Sequence, residues 1–493
     1  MVTVVLFGLL SGVALGDETL RLRPWPFDPT SLSEPLKVPA APTLVRPSIS
    51  GRPKITVRRA MDLEPLRQSV LHTIAELTAY GGHRNRIKVI AVERGQVPLM
   101  DVASAVGDEG MLCDGVACRL AMPLFVASGA GLVIEGMDVR MQAETGTFIA
   151  SQGLMSIRGS SIRAVDRSGP AVYRSAERFR PFIMAGEGSF TEVEDSELRD
   201  LGFAGSSAYG LTLTRFNRQD PDLPPPSGVI MNSRVIGLYY GLYTHGAEDL
   251  FVLNNRFEKQ IQYGIDPHDY SRRLLIAGNI VSDTAKSHGI VLSRGVQDVW
   301  IIGNRSLRNA GNGITIDRGS DAVVIQGNRS VANGGDGVAI YESRETYLLD
   351  NEIVANGRSG VRVRNGACVT VIGNELLGNA DHGLTLYARR PAVGVGRSAD
   401  ERGLETSAVL AANAFGDQGK ADLRVRDVDR LVLAGNQIGA NQDRISLDMS
   451  HPWQRSVEEA RKRSSSFAII ASERPPCPVS LPKPFWLPAP GQR

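Results

Sequence analysis

Residues 304–328 read Asn-Arg-Ser-Leu-Arg-Asn-Ala-Gly-Asn-Gly-Ile-Thr-Ile-Asp-Arg-Gly-Ser-Asp-Ala-Val-Val-Ile-Gln-Gly-Asn, and the phrase starts again on its own last residue. An aliphatic-x-Asn-x-aliphatic motif carries Asn at 232, 255, 279, 304, 328, 351, 374, 413 and 436, with successive gaps of 23, 24, 25, 24, 23, 23, 39 and 23 residues. A second motif, glycine followed by alternating aliphatics, begins at Gly241, Gly264, Gly289, Gly313, Gly337, Gly360 and Gly383 on the same beat. A fixed period of this length marks a solenoid, in which each repeat buries its apolar edge only against its neighbours.

Within a period, runs such as Ile314-Thr315-Ile316 and Val361-Arg362-Val363 alternate in polarity and send every second side chain inward, as a strand does. Leucine-rich repeats have a similar length but need a Leu-x-x-Leu-x-Leu frame that these periods lack. The expected fold is therefore all-β, a parallel β-helix solenoid with 23–25-residue rungs, in which the repeated Asn side chains stack as a buried ladder.

Weaker rungs at Leu132-Val133-Ile134 and Ser156-Ile157-Arg158 extend the pattern upstream, which puts the solenoid at residues 120–450. A leader and capping region precedes it over 17–119, and a C-terminal cap with a Pro-rich tail follows over 451–493. Asp62 is expected to start a helix through Leu63, Leu66, Val70, Ile74 and Leu77, and Val457 to Arg463 a short one. The long gap after Asn374 marks an insertion over Arg389–Ser407, and Pro-rich Arg215–Ser227 marks another. Such loops beside a regular scaffold usually border a groove.

Composition narrows the class. The 493 residues are 42% hydrophobic and 22% charged, with 52 glycines, which excludes a disordered or multispanning chain. With 55 basic against 53 acidic side chains, global charge gives no argument for a nucleic-acid partner. Val2 to Leu15 is apolar and is followed by small Gly16 and polar Asp17, which reads as a secretory signal over 1–16, although no Lys or Arg precedes it. No later stretch is long and apolar enough to span a bilayer. Cys113 and Cys118 are close enough to bridge a short loop, a reduced buried pair being the alternative, and the remaining cysteines, Cys368 and Cys477, stand apart.

Aligning the glycine motifs in columns exposes one odd rung. Gly264-Ile-Asp-Pro-His-Asp has Pro267 where Leu292, Ile316, Ile340 and Val363 stand in other rungs, and proline cannot donate to a central strand. The same rung carries Asp266, His268 and Asp269. Neighbouring strands lie about 4.8 Å apart, so His268 is expected beside His245 and Ser293, and Asp269 beside Arg294 and then Arg318. An imidazole, carboxylates and a guanidinium then meet on a rigid, exposed sheet. Taken singly, Pro267 also suits a strand end, and Asp269 with Arg294 an ordinary cross-strand ion pair.

Asp266-Pro267-His268-Asp269, within Tyr-Gly-Ile-Asp-Pro-His-Asp-Tyr-Ser, resembles the signature of the periplasmic mannuronan C-5 epimerases of alginate-producing bacteria. Ser-His-Gly-Ile-Val-Leu-Ser-Arg ending at Arg294 resembles the segment that follows it there. The resemblance implies a right-handed parallel β-helix in the periplasm that converts β-D-mannuronate to α-L-guluronate within the polymer, in contact with the alginate polymerisation and export machinery. It assigns His268 as the base that takes the C-5 proton, Arg294 as the residue that neutralises the substrate carboxylate, Asp266 and Asp269 as groups that orient and tune the imidazole, and water as the acid. Tyr263, Pro267, His245 and Ser293 are expected to touch the sugar, and Arg318, Tyr341, Arg362, Arg364 and Tyr387 to form a basic and hydrogen-bonding track for a polyanion.

The chemistry agrees with these residue types. Loss of a proton α to a carboxylate places a second negative charge on that carboxylate, which calls for a base working near neutral pH and a fixed cation. No cofactor or metal is expected, because the acidic residues lack a calcium-binding Gly-Gly-x-Gly-x-Asp repeat. Two other functions fit the same solenoid: a uronate lyase, which shares the first step and then expels the O-4 substituent, and a non-catalytic polysaccharide-binding export scaffold.

Overall fold

The computed structural model describes Val38 and residues 46–64, 66, 87–167, 169–170, 177–205, 207–215, 223–389, 405–439, 444–448 and 481–486. The expected signal segment, most of the helix expected after Asp62, the helix expected at 457–463 and the centres of both insertions lie outside these residues. At the start of that first helix the chain makes a single 3-10 turn, Ala60–Asp62.

Each coil contributes one strand to each of three parallel sheets. The first, termed the site sheet, stacks Tyr240–His245, Tyr263–His268, Ile290–Ser293, Ile314–Asp317, Val338–Tyr341, Val361–Arg364 and Leu384–Tyr387, each in parallel register with the next. The second stacks Glu248–Leu253, Arg272–Ala277, Gln297–Ile302 and their successors. The third consists of three-residue strands such as Arg256–Glu258, Ile280–Ser282 and Arg305–Leu307. Period-2 alternation now has its physical meaning: Leu242, Ile265, Ile290, Ile314, Val361 and Leu384 form one fully buried column inside the coil.

The repeated asparagines form the expected ladder. From Asn255 through Asn279, Asn304, Asn328, Asn351, Asn374 and Asn413 to Asn436, the backbone and side-chain amides of each donate to the Oδ1 of the next at 2.8–3.1 Å. Asn232 is a correction. It sits exposed at a corner with φ +51, and Ser233 occupies the ladder position, its amide donating to Asn255 Oδ1 at 2.9 Å. A one-residue offset in that rung turns the amide outward, and upstream coils continue with Ser196 and Ser160. A second ladder, Asn309, Asn333, Asn356, Asn379 and Gln418, runs parallel to the first.

Parallel pairing already includes Ile90, upstream of the rungs that the repeat spacing reveals. The eleven-residue strand Lys88–Pro98 pairs with Leu124–Val126 through Ile90–Val92 and with Ala130–Glu135 through Gly95–Pro98, so one strand serves two sheets. No turn residue cluster punctuates it, which hid this coil from a search for repeat spacing. Lys54–Arg59 pairs antiparallel to it, and a helix over Leu99–Val106 buries Leu99, Val102 and Ala103 against the first coil. These elements close the end of the solenoid, where an open sheet edge would otherwise invite pairing.

Cys113 and Cys118 form a disulfide across the hairpin Met111–Asp114/Ala117–Leu120, and Cys368 is disulfide-bonded as well. On the outer face of the second sheet, Phe485 and Trp486 from the Pro-rich tail pack on Trp300 with ring centroids 5.6 and 5.1 Å away. Both inserted connections leave at the same edge, after the site-sheet strands Gly210–Thr214 and Leu384–Tyr387, and rejoin the second sheet at Ser227–Met231 and Ser407–Ala411.

The ladder predicts a sharp contrast between two asparagines of the same motif. Asn304→Ala removes buried donors and acceptors from both neighbours and is expected to cost about 2–4 kcal/mol. Asn232→Gly, which suits the left-handed corner, is expected to change stability by less than about 1 kcal/mol. Equilibrium urea denaturation of the two variants decides the matter, and equal losses would contradict the ladder.

Candidate active site

The register brings the odd rung where the columns placed it. His268 pairs with His245 on one side and Ser293 on the other, and Asp266 pairs with Tyr243. Pairing toward Ile290–Ser293 skips Asp266 and Pro267, as expected where a proline supplies no N–H. Pro267 shares the inward parity of Ile265 and is buried, so it shapes the strand from within and is not placed to touch a substrate.

Asp269 is the hub of the site. Its Oδ2 lies 2.7 Å from His268 Nδ1, 3.4 Å from the Tyr243 hydroxyl that donates to it, and 3.8 Å from His245 Nδ1. Its Oδ1 faces Arg294 Nη1 at 3.8 Å. Partial burial works to raise its pKa, but the His268 hydrogen bond and the surrounding His268, His245 and Arg294 charges outweigh this and bring the carboxyl to about 2. A carboxylate at Nδ1 fixes the imidazole tautomer with its proton on Nδ1, which leaves Nε2 with its lone pair as an acceptor.

Arg294 is half exposed at 51%, and its contact with Asp269 is longer than a hydrogen bond. The guanidinium fork thus keeps donors for an incoming carboxylate, the geometry for which arginine is suited. The strand before it ends at Ser293, and a left-handed corner residue, φ +63, swings Arg294 out of the sheet.

Asp266 lies in a different environment from Asp269. It is 2% exposed, its Oδ1 has no hydrogen-bond partner, and it makes no hydrogen bond to His268. Burial raises its pKa to about 7, opposed by the nearby His268 charge and reinforced by Asp317 and Asp269. The site is also less open than a solvent-facing sheet suggests, because His268, His245 and Asp269 are mostly buried.

Two contributors escaped the sequence. Tyr243 packs its ring 5.8 Å from that of His268, and burial raises its phenol pKa, so it stays a hydrogen-bond donor. Asp317 occupies the same outward column as His268, two rungs on, and its pKa is raised by burial and lowered in part by a Ser293 hydrogen bond. The signal was present: the outward column His245, His268, Ser293, Asp317, Tyr341 is polar throughout. Tyr263 lies 5.9 Å from the His288 ring and 5.0 Å from Tyr240, within an aromatic group that also holds Tyr209 and Tyr239.

Two arginines of the expected track are engaged within the molecule. Arg362 is held by buried Asp336, Nε to Oδ2 at 2.7 Å. Arg364 forms a two-pronged pair with Glu342 at 2.8 and 3.0 Å and lies over the Tyr341 ring, 4.3 Å from its centroid. Tyr387 pairs beside Arg364. Arg318, 47% exposed and 3.9 Å from Asp317, remains turned to solvent next to Arg294. Spacing in the sequence could not reveal these intramolecular carboxylate partners. Among the described residues, no group of three or more His, Cys, Asp or Glu side chains is arranged to hold a metal ion.

A model described as a right handed beta helix region matches residues 182–341 and 288–398. The chain is similar to the mannuronan C5-epimerase of Pseudomonas aeruginosa, 32% identical over 266 residues, covering 52% of this chain and 49% of that one. It is also similar to the mannuronan C5-epimerase AlgG of Azotobacter vinelandii, 35% identical over 198 residues, covering 38% and 37% respectively. The chain thus spans about half the length of the curated relatives it matches, or less. Among solved structures, the periplasmic alginate epimerase AlgG aligns with a TM-score of 0.73 and 26% identity over 83% of this chain and 95% of that one. Fold and strand order make this a right-handed parallel β-helix protein. In sequence and structure it is similar to mannuronan C5-epimerases.

Two substitutions test the site's electrostatics. Asp266 has a folded pKa above its ordinary value, so the stability of its protonated form is present below about pH 4 and is lost as pH rises toward 7. Asp266→Asn is expected to flatten that window by up to about 1.4 kcal/mol per pH unit, gaining on wild type at pH 8 relative to pH 4 in thermal denaturation. Arg362→Ala strands Asp336, which is 1% exposed, and is expected to cost about 3 kcal/mol, measured by the same method.

Proposed function

We propose that this protein converts β-D-mannuronate to α-L-guluronate within the alginate polymer. The observation that carries this reading is the Nδ1–Asp269 contact of His268 at 2.7 Å, with half-exposed Arg294 across the same carboxylate. His268 Nε2 takes the C-5 proton. The electron pair of the broken C–H bond moves into the substrate carboxylate, where Arg294 faces the doubled charge, and Asp269 stabilises the imidazolium that forms. Water on the opposite face returns a proton to C-5 and inverts the centre, and the imidazolium then releases its proton through solvent to the hydroxide left behind, with no net oxidation.

The names of the relatives and of the structural neighbour support this activity and substrate. A periplasmic location is supported by that neighbour, a periplasmic alginate epimerase, and by the Cys113–Cys118 disulfide, a bond of oxidising compartments. Contact with the alginate polymerisation and export machinery follows from the same family reading.

His268→Gln and Arg294→Ala are each expected to lower the rate on polymannuronate by at least about a hundredfold. The assay is guluronate appearance by proton NMR at constant chain length, with deuterium entering C-5 from heavy water. Chain shortening with rising ultraviolet absorbance would instead identify a lyase, and unaltered activity in both variants would remove the mechanism.

A further inference from the structure

After several site-sheet strands the chain turns through left-handed residues. Following Ile290–Ser293 these are Arg294 and Gly295, φ +63 and +73, and following Ile314–Asp317 they are Arg318 and Gly319, φ +53 and +74. Glycine at the second position adopts this conformation without penalty. Following Tyr263–His268 the pair is Asp269 and Tyr270, φ +40 and +63. Among the described residues this is the one place where two consecutive non-glycine residues have positive φ. A bulky residue there is an outlier, and such strain clusters where a side chain has a function.

Burial does not compensate for the strain. Tyr270 is 67% exposed, more than any other large hydrophobic residue among those described. Its ring rests against Gly295, where a Cβ would come within 2.8 Å of Cδ1, so the glycine that follows Arg294 is also what admits the ring. The Tyr270 amide donates to the Arg294 carbonyl at 2.9 Å. The ring therefore stands one residue beyond Asp269, against the backbone that carries Arg294.

Pyranose units present an apolar C–H face, and a tyrosine ring offers a rigid apolar body with a polar tip. We propose that Tyr270 is a positioning residue, a stacking platform for the sugar unit adjoining the one that reacts. This deepens the polyuronate reading above and rests on it. The strained corner keeps the ring out of the core and beside the cation that receives the carboxylate.

Tyr270→Gly tests this, because it installs the residue that the following corners use. KM for polymannuronate is expected to rise about tenfold, with kcat unchanged and the thermal midpoint unchanged or higher, while Tyr270→Phe keeps KM near wild type. An unaltered KM in Tyr270→Gly overturns the proposal. So does a lower thermal midpoint with a matching fall in kcat, which marks a structural part, or a Tyr270→Phe variant as defective as Tyr270→Gly, which marks a role for the hydroxyl. Calorimetric titration of polymannuronate into wild type and Tyr270→Gly reads the contact without turnover. A wild type that binds but does not epimerise refutes the activity alone, whereas equal binding by the two proteins refutes the platform.

Discussion

Amide side chains stacked at the spacing of parallel strands hold this molecule in register. Each ladder asparagine accepts from both the backbone and the side chain of its neighbour and passes its own donors onward, so a buried polar group in every coil is satisfied by the next coil. An unsatisfied amide in that position would be costly in a dry core. The chain therefore cannot slip by one residue without breaking bonds along the whole stack. That constraint turns a 23–25-residue beat into straight columns, and the columns bring His245, His268 and Ser293 into line.

The site uses this rigidity rather than a deep pocket. Its chemistry is built on one strand end, one corner and the next rung, and a single carboxylate links them. Asp269 is low in pKa because two imidazoles and a guanidinium surround it, and its contact with Nδ1 decides which nitrogen of His268 is free. Asp266, one turn of the alternation away, experiences the opposite environment: its buried Oδ1 has no partner, so its neutral form is favoured. Two aspartates of one four-residue motif thus carry different charge near neutral pH because one is ringed by donors and the other is not.

The regular part of the fold was legible because its cause is local and repeated. Alternating aliphatics and a recurring Asn each specify a strand and a ladder position, and Pro267 flagged the one rung that departs from the pattern. Irregular coils were harder. Lys88–Pro98 bends through a corner without turn punctuation, Asn232 is displaced by one residue in favour of Ser233, and the second ladder ends in Gln418. At Arg362 and Arg364 the sequence shows two cations on an outward face, and nothing local says that Asp336 and Glu342 neutralise them.

Taken by itself, the sequence determined the solenoid, its period, the column of residues flanking His268 and the resemblance that names a chemistry, because these depend on residue type and spacing alone. Only the tertiary structure decided which carboxylate holds the imidazole, which arginines stay turned to solvent, and that Tyr270 stands strained and exposed at the corner. Those outcomes depend on side-chain direction and burial, which arise when adjacent coils stack and which spacing along one chain does not encode.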